Sequence, residues 1–289
     1  MTITERDAIH LIREARPIDI YKRHSSGTTE AEFRAACGAQ NIWHSVDLGD
    51  VFIEGTKKNS EVLAREMELM DCPDFRGKTV LDIGAFTGWF SFEAERRGAE
   101  AVTAVDYYSW VQNWPRLLEW VREERAAGRV PNPYKPPSRL VNAETAPGRL
   151  VFDRTRELLG SKVTPVVSRI EDFESEPFDI VLYLGVLYHC EDPFGSLKKV
   201  AALTKDHLIV ETLGKHIPGC EATPLYEFFG GAQVNQDVTT WWAPNETGLK
   251  DMLLACGFSR VEIRAGAEQL TEHQLTRPQH YRIWAHAWK

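Results

Sequence analysis

Gly84, Phe86, Gly88 and Asp106 are the residues whose types and spacing point most directly to ligand chemistry. The run 80–83 is apolar apart from Asp82, and Gly84, Ala85, Phe86, Thr87 and Gly88 follow it. A buried strand is therefore expected to turn sharply into a helix. Turns of this kind bring bare backbone up to a ligand at the carboxyl end of a parallel sheet. A dinucleotide-binding turn keeps its second glycine where Phe86 stands, because a diphosphate must come close to the chain there. The benzyl group of Phe86 blocks that approach, while Gly84 and Gly88 still permit the tight turn and contact with something smaller.

The next apolar run, 101–106, ends in Asp106, 22 residues after Gly84. An acid at that distance can accept hydrogen bonds from both hydroxyls of a ribose. A nucleoside that carries an amino acid on sulfur and no phosphate, S-adenosylmethionine, satisfies both features. Each feature alone suits any doubly wound protein; the pair narrows the reading to this cofactor.

A third group follows the apolar run 178–184. His189 is a candidate general base, since imidazole titrates near physiological pH and such a base contributes about 10² to 10⁴-fold when a hydroxyl must lose its proton. It can equally be a histidine that bonds the backbone. His189, Cys190, Glu191 and Asp192 are consecutive and splay in different directions, so no metal site is expected. Tyr226, Trp241 and Trp242, with Phe228 and Phe229, crowd one later segment. They can form aromatic walls for a substrate or simply pack the lid in which they lie.

The elements that must position these groups read as an α/β chain. Short helices are expected at 4–16 and 28–37, and the stretch 42–58 as irregular or extended. A tryptophan-rich helix is expected at 111–127, then a proline-rich link at 131–137 and a helix at 152–159. Further strands are expected at 162–168, 207–212 and 258–264, with a helix at 246–256 closed by Gly257. The run 178–184 has the pattern of a central parallel strand and should lie beside the first one. In 280–288, Tyr281, Ile283, Ala285 and Ala287 alternate with Arg282, Trp284, His286 and Trp288, which suits an antiparallel strand with unequal faces. The expected fold is a doubly wound, mostly parallel seven-stranded sheet whose last strand is antiparallel. An N-terminal helical cap occupies 1–58 and the catalytic domain 59–289, with a helical insertion at about 111–160 and a lid at about 214–245.

Composition sets outer limits. The 289 residues are 43% hydrophobic, enough for one large core with extensions. The first 14 residues carry scattered charge instead of the apolar core of a signal peptide, and no apolar run nears the roughly 20 residues that span a bilayer. The five widely spaced cysteines form no C-x-x-C pair and are expected to be free thiols, consistent with a cytoplasmic protein. A net charge of -8 argues against a general nucleic-acid binder. Residues 111–169 nevertheless hold eleven Lys and Arg against six Asp and Glu. That island either steers an anionic substrate or is a solvated helical face.

The run Leu184-Gly185-Val186-Leu187-Tyr188-His189, followed by Glu191-Asp192-Pro193, resembles the tRNA wobble-uridine carboxymethyltransferases and their class I methyltransferase relatives. The resemblance continues through Leu208–Leu213, which ends in Glu-Thr-Leu, then Trp242-Ala243-Pro244-Asn245 and Cys256-Gly257-Phe258, and covers about 42–264. It implies that the methionine portion of S-adenosylmethionine lies against Gly84, Ala85, Phe86, Thr87 and Gly88. The ribose would fall on Asp106 beside Tyr107, the adenine beside Ile170 and Glu171, and Leu184 and Tyr188 would flank the cofactor. Two departures matter. The family's Trp-x-Lys, whose lysine holds a carboxylated cofactor, appears here as Trp43-His44-Ser45, and the basic residue after its Tyr-His is Cys190. Both changes favour unmodified S-adenosylmethionine, and the acidic balance of the chain weakens a tRNA role, so a small-molecule acceptor, anionic or sugar-like, is expected. A tRNA-modifying enzyme and a cofactor-binding protein without turnover are the alternatives.

Overall fold

The computed structural model describes residues 4–38, 42–129, 131–133, 135–142, 146–230, 233–234 and 237–289, and not the side chains of 114 and 115. Parts of the expected insertion (130, 134, 143–145) and of the expected lid (231, 232, 235, 236) lie outside the described residues.

The chain opens with α1 (Glu5–Glu14) and α2 (Glu30–Ala36), each started by a threonine side chain that accepts a backbone N–H. A small hairpin, β1 (Val46–Asp47) and β2 (Phe52–Ile53), leads to α3 (Ser60–Met70), which is capped by Asn59. There follow β3 (Thr79–Ile83), α4 (Trp89–Arg96) and β4 (Ala101–Asp106).

The expected tryptophan-rich helix is two helices, α5 (Tyr108–Val111) and α6 (Trp114–Ala126). The break falls at Gln112 and Asn113, both extended, because the Asn113 side chain caps the second helix and proline opens its first turn. The next helix, α7 (Pro147–Leu159), starts five residues before the expected 152, since proline is well placed in a first turn. Then come β5 (Thr164–Val167), β6 (Phe178–Leu184), α8 (Pro193–Ala202) and β7 (Thr204–His216). The last outruns the expected 207–212 and enters the region read as lid. The chain ends with β8 (Tyr226–Phe228), β9 (Trp242–Pro244), α9 (Glu246–Ala255), β10 (Arg260–Ala265), α10 (Glu272–Leu275) and β11 (Gln279–Trp288).

Seven strands form one sheet in the order β10-β11-β7-β6-β3-β4-β5, and β6 lies beside β3 as expected. The pairs from β7 to β5 are parallel, whereas β11 runs antiparallel to both neighbours. Its position between β10 and β7 explains one departure from the sequence reading. Helices cover both faces there, so Trp284 and His286 are as buried as Ile283 and Ala285, and the two faces are not unequal. On one face, Ile12, Phe33 and Ile42 share a continuous apolar core with Trp89, Phe92, Phe152 and Trp284. On the other, Leu81, Tyr183, Leu197, Leu253 and Ile283 pack together. Among the described residues no helix is long and apolar enough to cross a membrane.

Candidate functional site

The order reverses at β3: β4 lies to one side of it and β6 to the other, the switch point where open α/β sheets place ligands. A cleft of about 410 Å³ opens there, within the range of small-molecule sites, roughly 300–1,000 Å³. Gly84, Phe86, Asp106, Tyr107, Ile170, Glu171 and His189 line it.

The turn after β3 shows why the sequence needs its glycines. Gly84 has φ +77° and Gly88 φ +87°; a Cβ on Gly84 would come 2.4 Å from Val186 Cγ2, and one on Gly88 2.5 Å from the Phe92 ring. Phe86 also takes a left-handed φ of +51°, a conformation that costs a phenylalanine about 1 to 3 kcal/mol and needs its surroundings to hold it. Four contacts do so. Its N–H donates to Asp106 Oδ2 at 2.9 Å, and its carbonyl accepts from Trp110 Nε1 at 2.6 Å. Its ring packs on Trp43 at 5.4 Å and meets the edge of His44 at 5.8 Å.

Most backbone donors in this turn are already committed. Gly84 and Ala85 donate to the Val105 carbonyl, Phe86 to Asp106 and Gly88 to the Ala85 carbonyl. A diphosphate needs such N–H groups free. The rim is acidic as well: Asp106, Glu171, Asp172, Glu191 and Asp192 face Lys135 and Arg169. This donor and charge pattern fits a cationic adenosyl group and disfavours a dinucleotide.

Asp106 is buried at the end of β4, and Ser109 N–H donates to its Oδ1 at 2.9 Å. Burial pushes its pKa up, and hydrogen bonds from Ser109 and Phe86 oppose that shift. Each carboxylate oxygen keeps a lone pair beyond the one its N–H occupies. Behind the turn, burial pushes the Asp82 carboxyl up to about 7 although the Ser91 hydroxyl donates to it.

Other expected site residues sit differently. Ala85, Thr87 and Gly88 form the back of the turn, with Thr87 Oγ1 2.7 Å from His44 Nδ1. Leu184 and Tyr188 bracket Gly185 without being among the cleft's lining residues, and the Arg282 guanidinium lies over the Tyr188 ring at 4.7 Å. Trp241 N–H donates to the Tyr188 carbonyl at 2.8 Å and Trp242 Nε1 to the Glu191 carbonyl at 3.2 Å, so both tryptophans clasp the turn that bears His189. Tyr226 departs from the substrate-facing expectation. Its hydroxyl donates to the Gly248 carbonyl at 3.1 Å and approaches Met252, which directs the ring to α9 and away from the cleft.

His189 lines the cleft and also bonds the backbone: Nδ1 lies 2.9 Å from the Thr239 carbonyl. Burial lowers its pKa, and Asp237 and Thr239 act in the opposite direction. Sequence reasoning missed several groups gathered here. Trp43 and His44, noted in the sequence only as the departure from Trp-x-Lys and not as neighbours of Phe86, arrive from the segment before the core. Lys135 comes from the segment expected to be an insertion, and Asn132 Nδ2 nearby donates to Glu191 Oε1 at 2.9 Å. Glu211 and Arg282 form a paired acid and base within 4 Å of where a Cβ of Gly185 would stand. The alternation in 280–288 placed Arg282 on one face of a strand; its partner depended on the strand order.

Comparison with known proteins matches residues 56–264 to the family model described as a methyltransferase domain. The tRNA U34 carboxymethyltransferase of Pseudomonas aeruginosa (strain PAO1) is 27% identical over 188 residues, 64% of this chain and 46% of that protein. Its counterpart in Methylococcus capsulatus (strain Bath) is 24% identical over 255 residues, 86% of this chain and 65% of that protein. The chain thus spans about half the length of the first of these relatives. Among solved structures, the N-terminal domain of EvdMO1 in the presence of SAH and D-fucose covers 92% of this chain and 99% of its own, at 14% identity and a TM-score of 0.54. That likeness is one of fold.

Proposed function

The chain belongs to the methyltransferase-domain family, and from that premise we propose that it is a methyltransferase that uses S-adenosylmethionine and acts on a small-molecule acceptor. What carries the reading is the turn at 84–88, where the N–H groups of Gly84, Ala85, Phe86 and Gly88 are spent internally while the Asp106 carboxylate keeps acceptor capacity at the end of β4. Bound there, the cofactor supplies a methyl group already activated on a sulfonium. The protein's own task is alignment, which can lower a barrier by roughly 7 to 11 kcal/mol. Asp106 would hold the ribose, the turn from Gly84 to Gly88 the amino-acid portion, and Ile170 and Glu171 the adenine edge. His189 would take the proton of the acceptor. Trp241 and Trp242 would hold the turn that carries it, and Tyr226 would support the lid from behind through its bond to α9. The five free cysteines fit a reducing, cytoplasmic setting.

Asp106→Ala is expected to weaken S-adenosylhomocysteine binding about 10 to 100-fold by calorimetry, the worth of one or two hydrogen bonds to a charged group. An unchanged affinity would remove Asp106 from the site. A second reading, modification of tRNA, draws on the names of the relatives. Salt-sensitive binding of tRNA, with methyl transfer to it, would favour that reading. Turnover of small acceptors without tRNA binding favours ours.

A further inference from the structure

We infer that Thr239 and Asp237 are positioning residues for His189, fixing its ring as the Nδ1–H tautomer and leaving the Nε2 lone pair as the proton acceptor at the cleft. The inference rests on the reading of His189 as the base, and it narrows the acceptor to one whose nucleophile carries a removable proton, such as a hydroxyl.

The argument is an inventory of hydrogens. His189 Nδ1 lies 2.9 Å from the Thr239 carbonyl oxygen and 3.0 Å from Thr239 Oγ1. The carbonyl can only accept. The threonine hydroxyl has one hydrogen and directs it to Asp237 Oδ1 at 2.6 Å, so toward the ring it accepts as well. Both partners of Nδ1 therefore require a hydrogen on Nδ1. A neutral imidazole carries one hydrogen, and Nε2 is left bare. Asp237 is itself held by the Thr239 N–H at 2.8 Å, so the carboxylate, the hydroxyl and the ring form one hydrogen-bonded chain.

Charges around the ring come from three other places in the fold: Asp237 before β9, Glu211 on β7 and Arg282 on β11. Burial keeps the ring neutral, Arg282 adds to that, and Asp237 and Glu211 oppose it. Neutral imidazole is the form that accepts a proton. When Nε2 takes the acceptor's proton, the imidazolium formed faces Asp237 through Thr239, and the proton later leaves to solvent. Thr239 lies 50 residues from His189 in sequence, so no local motif announces the pairing.

The tautomer can be read without any acceptor. In two-bond ¹H–¹⁵N spectra of the whole chain with ¹⁵N-labelled histidine, the signals lost in His189→Gln identify this ring. In the wild type, Nδ1 should carry the hydrogen and Nε2 should appear unprotonated, both with and without S-adenosylhomocysteine. Thr239→Val removes the hydroxyl and keeps the carbonyl; Asp237→Asn removes the anion. Asp237→Asn should lower the titration midpoint of His189, since the anion that raises it is gone; Thr239→Val should lower it as well, since the hydroxyl that accepts from Nδ1–H and links the ring to Asp237 is gone, and Thr239→Ser should restore it. An Nε2–H tautomer in the wild type overturns the inference. So does a midpoint unmoved in Asp237→Asn, whose amide oxygen can still accept from the Thr239 N–H and hydroxyl. The underlying reading fails separately: wild-type methyl transfer in His189→Gln would remove the base, and absence of S-adenosylhomocysteine binding would remove the cofactor, whichever tautomer is found.

Discussion

At the scale of residues, the account depends on backbone conformations that the turn at 84–88 imposes. Gly88→Ala would put a methyl 2.5 Å from Phe92 and 2.6 Å from Phe152 at a left-handed φ. It should destabilise the fold by about 2 kcal/mol or more in urea unfolding. A loss under half that would mean the rings give way freely. His44 offers a test by pH. Burial, reinforced by Lys58, holds its pKa down at about 3, against 6.5 for an ordinary histidine. Because the folded value is the lower one, His44 favours the folded state above pH 6.5 and loses that contribution as the pH falls toward 3. The slope can reach about 1.4 kcal/mol per pH unit. His44→Gln does not titrate and can still bond Thr87 Oγ1. Between pH 7 and pH 5 the wild type should therefore lose more stability than the variant in denaturant titrations, and parallel losses would contradict the burial of that ring.

At the scale of elements, the N-terminal segment is tied into the cofactor turn's support by charge as well as apolar packing. Arg16 reaches from the end of α1 to Asp47 at 3.0 Å, to Asp19 at 2.9 Å and to Glu93 on α4, with its side chain almost fully buried. Arg16→Met would leave three carboxylates short of a partner in the interior and should cost about 3 to 5 kcal/mol by chemical denaturation. A cost under 1 kcal/mol would mean that Arg96 and Arg97 compensate. The central strands, the turn between them and the place of β6 beside β3 were legible in the sequence because each depends on local pattern: apolar runs at 80–83, 101–106 and 178–184, a glycine turn, an acid at a strand end. Contacts between distant segments were not legible. The pairing of Glu211 with Arg282 follows from β11 lying against β7, and that of His44 with Thr87 from a segment some 40 residues away lying on the turn. Aromatic density around Tyr226 likewise says nothing about direction, and this ring points to α9.

Across the whole molecule, fold and charge point to the same ligand. The parallel strands deliver their carboxyl ends to one cleft, residues of α1 and α2 share a core with one face of the sheet, and the cleft's lining carries more acids than bases. A diphosphate would meet mostly committed backbone donors and repelling carboxylates, whereas an adenosyl group bearing a positive charge would meet complementary ones. The most direct test is calorimetric titration of the full chain, in parallel, with S-adenosylhomocysteine and with NADH. The account predicts one S-adenosylhomocysteine bound per chain and no saturable NADH signal; tight NADH binding with no response to S-adenosylhomocysteine would contradict it.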